Sequence, residues 1–375
     1  MDKISLLGST GSIGVQALEV MEAHGLRPVA LAANRNTALM EEQARKFTPE
    51  LVSMTNEAAG RDLEVRLKDI SVKVVWGEDG LLEAAAYNKA DAVLNALVGI
   101  SGLKPALAAL AAGHRLLLAN KESLVCAGEA VTSLADRNGL EIVPVDSEHS
   151  AIHQCMKGGR EGVRRLILTA SGGAFRGWSR ERLEAVTPEM ALRHPNWSMG
   201  SKVTVDSATL LNKGLEVIEA MWLFNTSVDK ISVLVHPQSI VHSLVEYNDG
   251  GLIAQLGAPD MRLPIQYALL GGRRADCPGP ALELAKISAL TFEEPDYECF
   301  PCLSLAFDAA RKGGNAGAVL CGAGEEAVEL FLTGKIGFMD IPRLVERALA
   351  VVTRIEAPGI DDILASDAEA RRIIK

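Results

Sequence analysis

The first 145 residues alternate short apolar runs with helix-length amphipathic segments, and this alternation restricts the fold more than any other feature. Strands are expected at residues 4–7, 29–32, 51–54, 72–76, 92–96, 116–119 and 141–145. Helical periodicity fills the gaps, most clearly at 13–23, 37–46, 103–112 and 123–137. Strands separated by helices cannot pair as hairpins. They form a parallel sheet covered on both faces, so an α/β class with a Rossmann-like, doubly wound N-terminal domain is expected.

The order changes after Pro144. Strand patterns follow at 166–169, 231–235, 241–247 and 252–256, the last two joined by the hairpin signal Asn248-Asp249-Gly250-Gly251. One long amphipathic helix is expected across 209–224. Residues 271–298 are rich in Gly, Pro and Arg and read as a linker. From Leu303 the pattern is helical, broken at Gly313-Gly314, Gly334 and Pro358-Gly359. The expected segments are 1–146 for a nucleotide domain, 147–270 for an α+β catalytic domain, 271–298 for the linker and 299–375 for a C-terminal helical domain. A chain of 375 residues with 48% apolar content supports that many cores.

Charge and cysteine usage narrow the setting. Lys+Arg 38 against Asp+Glu 48 leaves −10, which argues against a nucleic-acid backbone as partner. No apolar run reaches membrane-spanning length, and residues 1–3 lead straight into a strand without space for a signal peptide. Six scattered cysteines read as reduced thiols, so a cytoplasmic location is expected. Cys299-Phe300-Pro301-Cys302 has redox-motif spacing but no surrounding thioredoxin-like pattern, and two buried small hydrophobes are the plainer reading.

The first strand runs into Gly8-Ser9-Thr10-Gly11-Ser12-Ile13-Gly14. Glycines admit a pyrophosphate close to the backbone, the helix start directs N–H groups at it, and Ser9, Thr10 and Ser12 add hydroxyls. A glycine loop also serves plain strand-to-helix geometry, and its position at the first such turn is what favours the nucleotide. After the second strand the chain reads Asn34-Arg35-Asn36, where an NAD enzyme usually has an acid for the ribose hydroxyl. An Arg without an acid favours the 2′-phosphate of NADPH, against the alternative of a solvated surface loop.

Two acidic stretches carry the remaining chemistry. Val145-Asp146-Ser147-Glu148-His149 ends the last strand of the sheet, where open α/β sheets bind ligands. If Asp146 is still extended, Glu148 shares its face. Glu216 could add a third carboxylate, and oxygen-only donors suit Mg²⁺ or Mn²⁺ better than zinc. His149 and His153 have i, i+4 spacing for a zinc pair, or are semi-buried beside a capping Ser150. The second stretch, Val205-Asp206-Ser207 to Glu216, gathers Ser207, Asn212, Lys213 and Glu216; its plain alternative is a surface Lys213–Glu216 ion pair. Ser171-Gly172-Gly173 offers a hydroxyl and bare backbone N–H groups to an anion. His194-Pro195-Asn196-Trp197-Ser198-Met199-Gly200 reads as a lid with an exposed indole, or as an ordinary buried loop.

Together with Ala119-Asn120-Lys121-Glu122-Ser123 and Pro259-Asp260-Met261-Arg262, these stretches closely resemble 1-deoxy-D-xylulose 5-phosphate reductoisomerases, in family order over residues 1 to about 310. The resemblance implies conversion of a sugar phosphate, 1-deoxy-D-xylulose 5-phosphate, to 2-C-methyl-D-erythritol 4-phosphate in non-mevalonate isoprenoid synthesis. It implies that Asp146, Glu148 and Glu216 hold Mg²⁺ or Mn²⁺, and that Ser171, Ser207, Asn212 and Lys213 hold the phosphate. Lys121, Ser147 and Glu148 would contact the carbonyl and hydroxyls, with His194 and Trp197 over the substrate. Thr10, Gly11, Ser12, Ile13, Asn34, Arg35, Asn36, Asn120, Glu122 and Gly200 would meet NADPH. It also implies a homodimer. The stretch 319–326 departs from the family's usual Asn-Ala-Ala-Asn-Glu run, which leaves the helical packing open, and Leu211 stands where Met is common. A simple NADP-dependent dehydrogenase would not need three metal carboxylates, and a nucleotide-sensing module would carry the glycine loop alone.

Overall fold

The computed structural model describes residues 2–193, Trp197 and residues 200–375. It comprises two compact units. Unit 1 holds Met1–Ser123, Val131–Ser150 and Met261–Pro280; unit 2 holds Leu124–Ala130, Ala151–Asp260 and Ala281–Lys375.

Unit 1 is built from β1 (Lys3–Leu7), α1 (Ser12–Ala23), β2 (Arg27–Ala33), α2 (Thr37–Phe47), β3 (Leu51–Met54), α3 (Glu57–Arg66), β4 (Lys73–Trp76), α4 (Gly77–Ala85), β5 (Ala92–Asn95), α5 (Leu103–Ala111), β6 (Arg115–Leu118), both ends of α6 (Glu122–Arg137) and β7 (Ile142–Pro144). The strands form one parallel sheet in the order β4-β3-β2-β1-β5-β6-β7. β1, β2 and β3 are buried almost throughout because helices cover both faces, which is why their sequences read as continuous Val, Leu and Ala. Ile4, Leu6, Leu31 and Leu94 pack with Ala17 and Met21 of α1 in one core. The winding reverses between β1 and β5, so the glycine loop after β1 lies at the topological switch point.

The next elements are α7 (Ser147–Cys155), β8 (Val163–Ala170), α8 (Arg180–Leu183), α9 (Pro188–Ala191), α10 (Ser201–Ala208), α11 (Leu211–Leu223), β9 (Ile231–Val235), β10 (Val241–Tyr247) and β11 (Leu252–Leu256). After them come α12 (Arg262–Leu269), α13 (Cys302–Lys312), α14 (Ala316–Leu332), α15 (Asp340–Val351) and α16 (Ile360–Ile374). Unit 2 contains a mixed sheet in the order β11-β10-β8-β9, with β10 antiparallel to both neighbours and β8 parallel to β9.

One local expectation holds and three change. The helix expected across much of 209–224 is present as α11, and it begins at Leu211 because Leu210 adopts a left-handed φ of 59° that separates it from α10. Asp146 lies beyond the last strand, which stops at Pro144, so Asp146 and Glu148 do not share a strand face. Residues 281–298 are more than a linker: Glu293 forms an antiparallel bridge to Val235 of β9. Finally, α12, read as part of the catalytic segment, returns to unit 1. There Ile265 and Leu269 join the core, and Gln266 Oε1 bonds the His24 ring at 2.8 Å.

Candidate functional site

In unit 1 the glycine loop is pinned by two bonds, Gly8 N–H and Ser9 N–H to the Ala32 carbonyl at 2.8 and 2.9 Å. Gly8 has φ +90°, and a Cβ there would lie 2.5 Å from the Ala96 carbonyl oxygen. A Cβ on Gly14 would lie 2.2 Å from Gly8 O. Gly8 is therefore required by the close approach of the loop to Ala96 after β5, and Gly14 by that of α1 to the loop itself. Gly11 caps α1 without a side-chain bond, and the first-turn N–H groups have no partner within the helix. Gly11 and Ser12 are exposed, Thr10 and Ile13 half-buried. Ser9 departs from expectation: it is wholly buried with Oγ on Met40 Sδ at 3.8 Å, so its hydroxyl faces the core rather than a phosphate.

Asn34, Arg35 and Asn36 are exposed at the end of β2. Asn36 Oδ1 caps α2 by accepting from Leu39 N–H at 3.2 Å, and Asn34 Oδ1 accepts from Thr55 Oγ1 at 2.9 Å. Arg35 is exposed and forms no ion pair among the described residues.

Asn120 is a buried junction. Its amide donates to the carbonyls of Leu97 and Gly99 and to Glu122 Oε2, at 2.9 to 3.0 Å, and its Oδ1 accepts from Ser123 N–H at 3.2 Å. That junction orients the start of α6 and hence Lys121. Lys121 Nζ stands 2.5 Å from Asp146 Oδ2, with side-chain exposures of 12% and 13%. Asp146 and Glu148 place carboxylate oxygens within 4.8 Å of each other, and Ser147 Oγ donates to Glu148. Along α7, His149 is wholly buried and His153 half-buried, while Ser150 sits inside the helix rather than capping it.

In unit 2 the two stretches read as anion donors meet. A Cβ on Gly173, at φ +67°, would lie 2.6 Å from Ser207 O, so the Ser171 turn abuts the end of α10. The Ser171 Oγ accepts from Gly173 N–H at 3.2 Å. On α11, Asn212 Nδ2 and Lys213 Nζ both donate to Glu216, one to each carboxylate oxygen. Lys213 and Glu216 are 5% and 1% exposed, which rules out a solvated surface pair.

Sequence reasoning missed His242 on β10. Burial pushes its imidazole down to about 4, and the nearby Lys213 ammonium adds to this against the backbone at Ala258 and Gly257. The available signal was one titratable residue inside the apolar run 240–245. Trp197 is half-buried rather than exposed, its ring centroid 6.1 Å from that of His242. Gly200 is exposed and caps α10. His194 lies outside the described residues. The Cys299/Cys302 pair is not poised for redox work: burial pushes the Cys302 thiol up to about 12, and the two sulfurs form no disulfide.

Comparison with known proteins agrees across the chain. Residues 4–128 match the family described as 1-deoxy-D-xylulose 5-phosphate reductoisomerase, and 142–224 and 256–373 match its two C-terminal domain families. The chain is 52% identical over 376 residues to a protein of that name from Acetivibrio thermocellus, covering 100% of this chain and 99% of the relative. It is 49% identical over 369 residues to that of Agathobacter rectalis, covering 98% and 97%. Among solved structures it resembles the Zymomonas mobilis enzyme in complex with NADPH, with TM-score 0.93, 42% identity and coverage of 99% and 97%. It also resembles a DOX-P reductoisomerase in complex with NADPH, fosmidomycin and magnesium, with TM-score 0.94, 39% identity and coverage of 100% and 97%.

Proposed function

Since the chain belongs to the 1-deoxy-D-xylulose 5-phosphate reductoisomerase family, we propose that the residues described above divide one reaction among them. The enzyme isomerises and reduces 1-deoxy-D-xylulose 5-phosphate to 2-C-methyl-D-erythritol 4-phosphate, using NADPH and a divalent metal, in the non-mevalonate isoprenoid route. One observation supports the division of roles: two lysines, each nine-tenths buried or nearly so, stand against carboxylates, Lys121 on Asp146 and Lys213 on Glu216.

Asp146, Glu148 and Glu216 are the proposed metal ligands. Their donors are all oxygen, which fits magnesium and equally manganese. When bound, such an ion polarises the substrate ketone as a Lewis acid. An ammonium and a divalent cation repel, so Lys121 and Lys213 turn to substrate oxygens once their carboxylates are shared. Lys213, with Ser171, Ser207 and Asn212, takes the phosphate. Lys121, Ser147 and Glu148 take the carbonyl and hydroxyls. His194 and Trp197 cover the substrate, and excluding water there protects an aldehyde awaiting hydride. Thr10, Gly11, Ser12 and Ile13 meet the pyrophosphate, Asn34, Arg35 and Asn36 the 2′-phosphate, and Asn120, Glu122 and Gly200 the rest of NADPH.

We also propose a homodimer. β11 is an edge strand that exposes Leu252, Ile253 and Leu256, an arrangement a monomer usually avoids. No described helix is long and apolar enough to cross a membrane, and cysteines held as thiols rather than disulfides fit a cytoplasmic setting. The decisive assay follows NADPH oxidation and product identity with 1-deoxy-D-xylulose 5-phosphate, in Mg²⁺ and after chelation. Metal-dependent formation of the branched product is expected. Undiminished turnover in chelator, or reduction without rearrangement, would overturn the reading.

A further inference from the structure

The charges around α10 extend well beyond the proposed phosphate donors. Lys202 lies in the first turn of α10, where the helix dipole disfavours a cation. Two carboxylates offset this: Asp206 Oδ2 at 2.9 Å and Glu325 Oε1 of α14 at 3.8 Å. Glu325 Oε2 in turn meets Arg371 Nη2 of α16 at 2.5 Å, and Arg371 Nε meets Asp367 Oδ2 at 2.7 Å. All five side chains are a quarter exposed or less, so solvent and salt screen them weakly. Burial works against the Arg371 charge, yet the bonds to Asp367 and Glu325 hold its guanidinium above the usual value.

α14 also reaches the other half of the donor set. Phe175, just past the Ser171 turn, meets Phe338 edge-on at 5.2 Å, and Phe338 meets Phe331 of α14 at 5.7 Å. The Ser171 turn and the end of α10 touch at Gly173. One C-terminal helix therefore supports both segments that would grip an anion.

We propose that Glu325 and Arg371 are positioning residues for the phosphate end of the substrate, holding Lys202 and thereby setting where Ser207 stands. This rests on the reading that Ser171, Ser207, Asn212 and Lys213 bind the phosphate. Neither residue touches substrate in this scheme; each acts through α10. Small displacements of an orienting group are costly in rate and affinity, so a break in the chain is felt at Ser207.

The test uses the full-length enzyme with Mg²⁺ and NADPH. Glu325→Gln and Arg371→Met should each raise the KM for 1-deoxy-D-xylulose 5-phosphate and the inhibition constant of fosmidomycin, a phosphonate, about tenfold. NADPH affinity should stay within about twofold. Arg371→Lys should recover most of the loss. Arg343→Met, which breaks an exposed pair with Glu184, should change neither constant. In a Ser207→Ala background the Glu325→Gln effect should shrink, because both act at one point. Ser207→Ala alone tests the underlying reading: an unchanged fosmidomycin constant in that variant removes the phosphate assignment itself. A raised constant in Ser207→Ala, with Glu325→Gln and Arg371→Met silent or acting independently of it, overturns the positioning role. So does a fall in melting temperature without any KM shift. If either variant folds too poorly to assay, Glu325→Asp must show the same selective rise in KM.

Discussion

Lys121 and Asp146 face each other at 2.5 Å with little solvent around them, although twenty-five residues separate them in sequence. A buried ion pair is costly to break from one side, because the remaining charge loses its partner. Their geometry couples the α6 start to the acid stretch and poises both for charged ligands.

Asp146→Asn should abolish turnover while NADPH still binds. Lys121→Met should cost at least about a hundredfold in kcat yet leave Mg²⁺ affinity equal or higher, since a competing cation is gone. Steady-state kinetics and a metal titration of both variants check this. Wild-type activity of Asp146→Asn in chelator-treated buffer would contradict the metal assignment.

Arg35 should carry the preference for NADPH over NADH. One charge-assisted phosphate contact is worth about 1.5–3 kcal/mol, or roughly ten- to a hundredfold. Arg35→Ala should lose that discrimination with little change in NADH efficiency. Unchanged selectivity, read from kcat/KM for both cofactors, would show the 2′-phosphate is bound elsewhere.

Lys213→Ala removes the cation from the anion-donor cluster and the charged donor to one Glu216 oxygen, while Asn212 still donates to the other. Substrate KM and the fosmidomycin inhibition constant should rise together by about a hundredfold, in line with a charged hydrogen bond lost in a buried site. NADPH affinity measured by fluorescence should not move. Loss of NADPH binding with normal fosmidomycin inhibition would reverse the assignment.

His242 makes stability pH-dependent with a definite sign. Its folded value, about 4, lies below the ordinary 6.5. Between those values the unfolded chain binds a proton that the folded chain refuses. The stability due to neutral His242 is present above pH 6.5 and is lost as pH falls toward 4, up to about 3 kcal/mol in all. Urea midpoints at pH 7.5 and pH 5 should therefore diverge less in His242→Gln than in the wild type. An equal divergence would place the acid sensitivity on other groups.

Ile253→Lys puts a charge on the exposed edge of β11, a device that blocks strand-to-strand pairing. Light scattering should give a dimer for the wild type and a monomer for the variant. A variant that remains dimeric would move the interface away from β11.

Much of this was legible in the chain. Residues 51–54, 231–235, 241–247 and 252–256 form strands where alternation and apolar runs placed them. The helix breaks at Gly313-Gly314 and Gly334 also fall where glycine predicted them. Periodicity and left-handed backbone are properties of a few adjacent residues, so sequence reports them directly. The motif residues were equally visible, because each motif is contiguous.

The sequence by itself thus determined the nucleotide-type sheet, its glycine loop and the inventory of carboxylates and anion donors. Only the tertiary structure decided how those groups are used. It turned Ser9 into the core, buried the Lys213–Glu216 pair, separated α10 from α11 at Leu210 and brought α12 back onto α1. It also placed His242 beside Lys213 and linked Lys202 to α16 through Glu325 and Arg371. These outcomes depend on burial and on partners distant in the chain. A charge has no fixed meaning until the fold sets its solvent exposure and the counter-charge it meets.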